Sequence, residues 1–400
     1  MIYVGVDVGK SKHAAAAVNE AGACVMQPRF FTQDAGGFAS LFGALEELGG
    51  SESVVVGMEA TGHYWKVLRH ALVARQYRVD VINPLITSRE ASADVRGRKS
   101  DKLDALAIAN VLRKGGYSPA PAALAAMDTL KALARHRKAL VERSSDAKRR
   151  LIAGLDVAFP EAAKTLGDLF GAASQAVIKA FPSARLAAAA DIRRLTSLFD
   201  KASGGQLGRE AAEAYREAAK RSLSLNMHTE GEEFVIAQIV DELRAAAVQI
   251  AEVERRMQAE PQPQLASLLG SIKGAGKIQP MVVAAEIGAP SRFAGADMAQ
   301  KVLAYAGCEP RVRESGKWKG TTKMSKRGSP VLRNALYLMA STIRLHSPYF
   351  NAIYKRQIAM GKHHHVALSH VVRKIVDVMC GMYKTNTTFM PPQTEVAPCQ

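Results

Sequence analysis

The sequence predicts a mixed α/β N-terminal domain, a long helical connector and a mostly α-helical C-terminal domain. Strand-like apolar runs dominate the first 84 residues, and the later runs alternate with segments of helical spacing. Beyond residue 101 the pattern becomes long and helical, and the composition breaks at the PQPQ stretch of residues 261–264. A chain of 400 residues is also longer than one hydrophobic core usually supports. We therefore expect more than one domain.

The N-terminal elements follow a definite order. Three strands come first, joined by short turns, and two further strands then alternate with helices. The predicted strands are IYVGVDV, HAAAAVN, CVMQPRFF, SVVVGMEA and RVDVINP, and the predicted helices are FASLFGALEEL, YWKVLRHALVAR and DKLDALAIANVLRKG. The resulting order, β-β-β-α-β-α-β-α, is typical of the RNase H and RuvC nuclease fold. We therefore expect an α/β domain of RNase H/RuvC-like fold.

The remainder of the chain is predicted to be mostly helical. Between Lys131 and Arg150 there are eight basic residues against two acidic ones. Residues 150–260 are rich in alanine and broken by turns, and we interpret them as a solvated helical spacer, partly coiled coil, without chemistry of its own. The predicted parts are residues 1–115 for the α/β domain, 116–262 for the helical connector, 263–386 for the C-terminal domain and 387–400 for a disordered tail.

The charge of the chain indicates a polyanionic partner. Fifty-four lysines and arginines face 37 aspartates and glutamates, which gives a net charge of +17. So large a positive field attracts nucleic acid rather than acidic small molecules. No apolar run approaches the roughly 18 residues of a membrane-spanning helix, and the start of the chain lacks a signal-peptide pattern. We expect a cytoplasmic protein.

The cysteines do not indicate a metal or disulfide framework. They lie far apart and include no CxxC pair, so we expect them to be reduced and structurally incidental. The four residues are Cys24, Cys308, Cys380 and Cys399. The run His363–His365 invites a metal interpretation, but three consecutive histidines cannot face one ion from a helix. We expect that run to be a solvated loop.

Four carboxylates occupy positions that can converge. Asp7 ends the first predicted strand, Glu59 ends the fourth, and Asp101 and Asp104 open a helix. If the first and fourth strands are neighbours, a helix start packed over their ends brings the acids together. Two carboxylates about 4 Å apart repel by roughly 4 kcal/mol at an effective dielectric constant of 20, and divalent cations relieve this repulsion. Because Mg²⁺ prefers oxygen ligands, we expect a two-metal Mg²⁺ site, with Mn²⁺ as the alternative ion.

Each acid also has an ordinary structural explanation. Asp101 can be a helix N-terminal charge behind the N-cap Ser100, and Glu59 can be an edge carboxylate before a turn. The joint occurrence favours a site, because Asp7 interrupts an apolar strand where burial of an unpaired carboxylate is costly.

At these residues the chain resembles a known family. The segments YVGVDVGKSKH, MEATGHYW, VINP and RKSDKLDALAIA are similar, in order and spacing, to landmarks of the DEDD transposases of the insertion-sequence one-ten family, which are bridge-RNA-guided recombinases. The likeness extends to the C-terminal domain. It implies that Asp7, Glu59, Asp101 and Asp104 bind metal and act in the cutting and rejoining of DNA strands.

A serine lies in the most basic part of the C-terminal domain. From Arg311 to Arg333 there are eight lysines or arginines against Glu314 alone, so we expect phosphate to bind here. We expect Ser315 to lie on an exposed loop, where a serine hydroxyl among cations can attack a phosphodiester; the ordinary alternative is that it caps a turn. The PRVRESG segment resembles the serine-bearing segment of the family, which implies Ser315 as the nucleophile. Its rivals Ser325 and Ser329 lie in a block better explained as a helix start.

Several further residues are predicted to contact nucleic acid. IKGAGKIQPMVVAAE resembles a helix-hairpin-helix turn whose glycines allow close approach of a phosphate, and the basic helix before residue 150 suits an RNA backbone. The predicted contacts are Arg311, Arg313, Lys317, Lys319, Lys323, Lys326, Arg327, Arg333, Gly274, Gly276, Arg135, Arg137 and Lys138.

The resemblance also implies partners, and it leaves alternatives open. It implies donor and target DNA, a noncoding guide RNA, and homodimers that pair into tetramers. One alternative is a junction resolvase or general nuclease that uses the carboxylates and a metal-activated water without the serine. Another is a noncatalytic nucleic-acid-binding protein. Substitution of Ser315 separates the first alternative from a recombinase, and substitution of Asp7 separates the second.

Overall fold

A computed structural model of the protein contains two units. Unit 1 comprises Met1–Ala123 and Gly288–Met298, and unit 2 comprises Leu124–Ile287 and Ala299–Gln400. The residues that the structure describes are 1–60, 62–82, 84, 86–87, 100–115, 125–311, 314–315, 318–319 and 323–391.

Unit 1 is built on a five-stranded mixed sheet with the order β3-β2-β1-β4-β5. The strands are β1 Ile2–Val8, β2 Lys12–Val18, β3 Cys24–Thr32, β4 Val54–Glu59 and β5 Arg78–Ile82. β1 pairs antiparallel with β2 and parallel with β4, so the first and fourth strands are neighbours. β3 extends the antiparallel side, and β5 extends the parallel side. The predicted strands are therefore confirmed, and their arrangement is consistent with an RNase H-like domain.

Helices cover both faces of this sheet. They are α1 Ala35–Glu47, α2 Gly50–Ser53, α3 Trp65–Ala74 and α4 Asp101–Lys114. Leu41 of α1 and Leu68 of α3 share one buried cluster with Val6 of β1. On the opposite face, Ile108 of α4 packs with Val55 of β4. The alternation of strand side chains thus divides unit 1 into two apolar layers.

Gly5 sets the distance between α4 and the sheet. A Cβ atom at this position would lie 2.1 Å from the backbone oxygen of Ala105 and 2.4 Å from the backbone nitrogen of Ala109. The helix backbone therefore rests directly on β1, and only glycine leaves room for that approach.

Two long helices in unit 2 pack antiparallel. α5 spans Ala125–Ala158 and α11 spans Glu230–Ala259. Arg137 pairs with Glu254, whereas Arg150, further along α5, pairs with the earlier Glu242 of α11. The two ion pairs define the opposite directions of the helices. This pairing does not confirm the predicted coiled coil.

The segment between these two helices is a packed body rather than the solvated spacer that we expected. Its helices are α6 Ala162–Leu166, α7 Ala172–Ala180, α8 Ala184–Ala188, α9 Ile192–Ser203 and α10 Arg209–Lys220. Phe159, Phe199 and Tyr215 are buried in one cluster with residues of both long helices. The Tyr215 hydroxyl donates to the backbone oxygen of Phe181 at 3.1 Å, so its polar atom is satisfied inside the core. The segment contains enough larger apolar residues at helical spacing to build this core. The prediction of a solvated spacer missed them because alanine dominates the composition.

The C-terminal part of unit 2 is mostly helical. In chain order from residue 264 the helices and strands are α12 Gln264–Gly270, α13 Ile278–Ile287, a 3-10 helix Pro290–Phe293, α14 Met298–Ala306, β6 Pro310–Arg311, β7 Glu314–Ser315, β8 Trp318–Lys319, β9 Lys323–Met324, α15 Pro330–His346, α16 Pro348–Ala359 and α17 His364–Thr385. The 3-10 helix lies in the segment Gly288–Met298, which belongs to unit 1. α15 contacts α13, α16 and α17. The buried side chains of Leu336 and Ile375 belong to this core.

Two local predictions differ from the structure. His364 and His365 lie in the first turn of α17 rather than in a loop, and His363 is its N-cap. Residue 389 belongs to the predicted disordered tail, yet the Phe389 ring lies 5.4 Å from that of the buried Phe350, because aromatic packing holds this part of the chain. Within the described ranges, no helix combines the length and apolar character needed to span a membrane.

Candidate active site and nucleic-acid interface

Asp7 and Glu59 lie side by side at the ends of two parallel strands. The β1–β4 register pairs Gly5 with Gly57 and Val6 with Met58, so Asp7 and Glu59 are the next residues on neighbouring strands. Side chains alternate along a strand, and Gly5 faces α4. Asp7 and Glu59 therefore share the face that α4 covers, and both remain partly exposed.

The start of α4 brings its acids to the same end of the sheet. Ser100 is the N-cap, and its hydroxyl oxygen accepts from the backbone nitrogen of Leu103 at 3.4 Å. Tyr3 packs with the apolar cluster of Ile108 and Leu112, whereas Gly5 meets Ala105. The helix therefore runs opposite to β1, and its N-terminus lies toward the end of the strand that carries Asp7.

The two acids of α4 differ in their exposure. Asp104 lies one turn before the buried Ile108 on the stripe that faces the sheet, and it is half-buried. Asp101 lies at the first helical position and is exposed. The structure thus brings Asp7, Glu59 and Asp104 to one end of one face, with Asp101 at the solvent side of that end.

This group fits a divalent cation in chemistry, although its side chains are not gathered around a common point. All four donors are carboxylates, the hard oxygen ligands that Mg²⁺ and Mn²⁺ prefer. Among the described residues, however, no group of three or more histidine, cysteine or acidic side chains stands close enough to hold a metal. What the carboxylates have in common is one face and one end of the sheet.

Sequence reasoning missed one partner of Glu59. The Thr87 hydroxyl donates to Glu59 Oε2 at 2.7 Å, and it lies 3.0 Å from the backbone oxygen of Pro84. Thr87 is buried, so this hydrogen bond restrains a carboxylate that is otherwise partly exposed. The signal available in the sequence was the position of Thr87 shortly after the strand that neighbours β4.

Ser315 lies in a short strand rather than in the expected loop. β7 pairs antiparallel with β8, with Ser315 opposite Trp318. A second short pair joins Arg311 of β6 to Lys323 of β9, and Lys319 lies in β8. The predicted contacts Arg313 and Lys317 lie outside the described residues.

The cations after this segment have different surroundings. Lys326 and Arg327 are exposed, and Lys326 has a φ of 53°. Arg333 Nη1 donates to the backbone oxygen of Ala306 at 2.9 Å. Ser329, the rival serine, is the N-cap of α15 and accepts from the backbone nitrogen of Leu332 at 3.2 Å. The block that contains Ser329 is therefore a helix start, as predicted.

A buried carboxylate of α13 connects that helix to α5 and to the start of α15. Glu286 of α13 is 0% exposed, and Arg135 of α5 donates to it from Nε at 2.7 Å. The Ser329 hydroxyl donates to its other oxygen at 2.8 Å. Burial acts to raise the pKa of Glu286, but the hydrogen bond and charge of Arg135, with Lys131 and Ser329, outweigh burial and hold the pKa below its ordinary value.

The other predicted contacts of α5 also have carboxylate partners. Arg137 Nε donates to Glu254 at 2.6 Å, and Lys138 pairs with Glu142. These side chains take part in helix packing, and their contact with nucleic acid stays a prediction.

The predicted helix-hairpin-helix glycines join α12 to α13. Gly274 and Gly276 have φ values of +93° and +71°, which favour glycine. A Cβ atom on Gly274 would lie 3.0 Å from the Cα of Ile343, so its close approach is to α15. Gly276 has open space around it.

Comparison with known proteins defines the class of this chain as a transposase. Residues 4–160 match the DEDD model for IS110 elements, described as transposase, and residues 266–355 match the transposase family IS116/IS110/IS902. The chain belongs to this family. Membership implies a DNA substrate and a general dependence on divalent metal.

Relatives match over nearly the whole chain. The chain is similar to an IS116 insertion-element protein of Streptomyces clavuligerus, with 24% identity over 99% of this chain and 98% of the relative. It is 24% identical to a Streptomyces coelicolor protein named "Mini-circle putative transposase for IS117", over 97% of this chain and 95% of that protein. An IS900 insertion-element protein of Mycobacterium paratuberculosis is 25% identical over 99% of both chains.

Proposed function

We propose that this transposase cuts and rejoins DNA with a metal-bound carboxylate site and a serine nucleophile. Asp7, Glu59, Asp101 and Asp104 would hold the metal, on an RNase H/RuvC-like domain, and Ser315 would attack the DNA. The observation that carries the proposal is the placement of Asp7 and Glu59 on adjacent strands, on the face that the start of α4 covers.

The proposed reaction conserves phosphodiester bonds. The Ser315 hydroxyl attacks a backbone phosphorus, and its proton passes to a basic group of the site. The bond from phosphorus to the leaving deoxyribose oxygen breaks, and that oxygen takes up a proton to become a hydroxyl. A phosphoserine ester then joins protein and DNA. A hydroxyl of the exchanged strand attacks that ester and gives its proton to a basic group, and the serine oxygen leaves and takes up a proton. No oxidant or nucleotide is consumed.

The carboxylates and cations have separate tasks. Bound Mg²⁺ or Mn²⁺, as one ion or a pair, would supply charge to stabilise the negative oxygens of the transition state. Asp7 and Glu59 would hold that charge, Asp104 would complete the donor set from the helix, and Thr87 would restrain Glu59. The cations near Ser315 would bind the phosphates that flank the reacting group.

We further propose that a noncoding RNA guides the protein and that homodimers pair into tetramers. The net charge of +17 supports the binding of nucleic acid, which is a polyanion. Copurification of the protein from its native host, followed by sequencing of bound RNA and measurement of mass by light scattering, tests both. Absence of RNA would contradict guidance but not strand chemistry.

The decisive experiment traps the intermediate. Wild-type protein, Ser315→Ala and Asp7→Ala are incubated with labelled element-end DNA and Mg²⁺, then denatured and resolved by electrophoresis. We expect a covalent protein–DNA adduct with the wild type and none with either variant. Strand cleavage that survives in Ser315→Ala would support a metal-dependent nuclease, and unchanged activity of Asp7→Ala would contradict the carboxylate site.

A further inference from the structure

Charge is unevenly balanced within unit 2. Residues 330–386 contain eight lysines and arginines and one carboxylate, Asp377. By contrast, exposed cations between residues 135 and 260 commonly have acidic partners, as Arg209 has Glu213 and Arg255 has Glu252. The C-terminal helices therefore carry cations in excess of any acid available to them in this part of the sequence.

Part of this excess gathers where α16 turns into α17. The Arg344 guanidinium lies 4.5 Å from the centre of the Tyr354 ring, and the Tyr354 hydroxyl is 2.7 Å from His364 Nδ1. Lys362 Nζ is 3.2 Å from His370 Nε2. We name these five residues the basic elbow: Arg344, Tyr354, Lys362, His364 and His370.

The basic elbow lacks an anion in the described chain. Its four basic side chains are half-buried, and none has an acidic group within ion-pair distance among the described residues. Arg344 Nε is buried with no hydrogen-bond partner. Lys362 donates only to the neutral oxygen of Gln357, at 2.6 Å, and toward His370. Half-buried cations without a counter-charge are costly, so this arrangement suits an external anion.

The titration of the histidines agrees with a concentrated positive field. Burial lowers the pKa of His364 first, and the charges of His365, Arg344 and His363 lower it further. Burial also lowers the pKa of His370, with added contributions from Lys362 and Arg373. A phosphate beside these groups would oppose the charge repulsion that, after burial, contributes to both lowered pKa values.

We propose that the basic elbow is a second DNA-contact site, which binds the sugar-phosphate backbone through residues other than those of the serine segment. Arg344 has a guanidinium that packs on the Tyr354 ring, and Lys362 has an ammonium group. Guanidinium and ammonium are the cations that proteins use most to bind phosphate. Tyr354 and His364 are hydrogen-bonded to each other and add no negative charge to the group. The inference rests on the proposed function, which supplies DNA as the ligand, and it adds a site that contacts phosphates without reading bases.

Salt dependence of DNA binding tests this site. Full-length protein is titrated against a labelled duplex of about 30 base pairs over a range of KCl concentrations, since each phosphate contact contributes about 0.9 to the slope of log affinity against log salt. The double variant Arg344→Gln/Lys362→Gln is compared with Arg209→Gln/Arg255→Gln, which removes the same charge from paired, exposed positions. We expect the elbow variant to lose about 1.8 from the slope and at least about tenfold in affinity. The matched control should retain the wild-type slope.

Equal slopes for the two double variants would overturn the proposal. So would a loss confined to a labelled RNA hairpin, with DNA binding unchanged. If circular dichroism shows that the elbow double variant is unfolded, Lys362→Gln alone serves, with an expected loss of about 0.9. Wild-type slope for a folded Lys362→Gln would then count against the site.

The outcome is separable from that of the proposed function. With DNA at saturating concentration, the elbow variant should still form the covalent adduct of Ser315. A wild type that forms no adduct would contradict the serine mechanism while leaving the difference in slopes intact. Normal adduct formation with identical slopes would contradict the basic elbow alone.

Discussion

Arg135 of α5 donates hydrogen bonds from two guanidinium nitrogens to the carboxylate of Glu286 of α13, at 2.7 and 3.3 Å. The arginine keeps 55% of its side chain exposed, whereas the glutamate side chain is 0% exposed. An ionised carboxylate in the interior needs such a partner, because an unpaired buried charge is strongly destabilising. The Ser329 hydroxyl satisfies the second oxygen and so connects the start of α15 to the same carboxylate.

Removal of the buried carboxylate should destabilise unit 2. Glu286→Ala leaves Arg135 and Ser329 without their acceptor, and we expect a loss of about 3 kcal/mol in the free energy of unfolding, the lower end of the range for broken buried pairs. Urea denaturation followed by circular dichroism measures it. Glu213→Ala is the control, because its exposed pair with Arg209 should contribute less than about 0.5 kcal/mol. Equal losses in the two variants would contradict a structural role for the buried pair.

The same pair predicts an acid-sensitive contribution to stability. The folded-state pKa of Glu286 lies below the ordinary value of 4.5, so its ion pair stabilises the protein above that pH and the benefit disappears as pH falls through the folded pKa. The stability difference between wild type and Glu286→Gln should therefore be constant near neutrality and shrink below about pH 4.5. Unfolding curves at several pH values measure this difference. A gap that widens on acidification would refute the assigned direction.

Gly5 should not tolerate a methyl group. Gly5→Ala places a carbon 2.1 Å from the backbone oxygen of Ala105, so α4 must shift, and we expect a cost of at least about 1–3 kcal/mol. Gly43 offers a matched control within α1, since a Cβ atom there meets nothing within 4 Å. Gly43→Ala should stabilise the protein by about 0.5–1 kcal/mol through helix propensity. Thermal unfolding of both variants decides the matter, and a tolerated Gly5→Ala would argue against the direct contact of α4 with β1.

Thr87 should affect metal use through Glu59. Thr87→Val keeps the shape of the side chain and removes the hydroxyl that donates to the carboxylate. Loss of an outer hydrogen bond of this kind weakens metal affinity or activity about 10–100-fold. We expect a higher Mg²⁺ concentration for half-maximal adduct formation, with DNA affinity unchanged.

The control for this prediction is Thr165→Val. It removes a threonine hydroxyl that donates to the backbone oxygen of Ala162 in unit 2. An identical Mg²⁺ dependence for the two variants would show that Thr87 does not position Glu59. Restoration of the wild-type dependence by Thr87→Ser would support the hydroxyl as the cause.

The features that could be predicted from the sequence are those that depend on residues close together in the chain. Short apolar runs bounded by turns predicted the five strands, and acids at strand ends predicted that Asp7 and Glu59 lie at the same end of the sheet. Contacts between distant residues left no such pattern: Arg135 and Glu286 are 151 residues apart, and Thr87 is 28 residues from Glu59. Ser315 rested on resemblance because a serine in a basic segment has no periodic signal of its own.

The buried carboxylate also joins two stretches that family comparison treats separately. Arg135 falls in the N-terminal match of residues 4–160, whereas Glu286 and Ser329 fall in the C-terminal match of residues 266–355. Chimeras assembled from two relatives, with the crossover placed between these stretches, would inherit the arginine from one parent and its acceptor from the other. A functional hybrid must therefore bring a compatible pair, and incompatibility here would appear as misfolding even when both parental catalytic sets are intact.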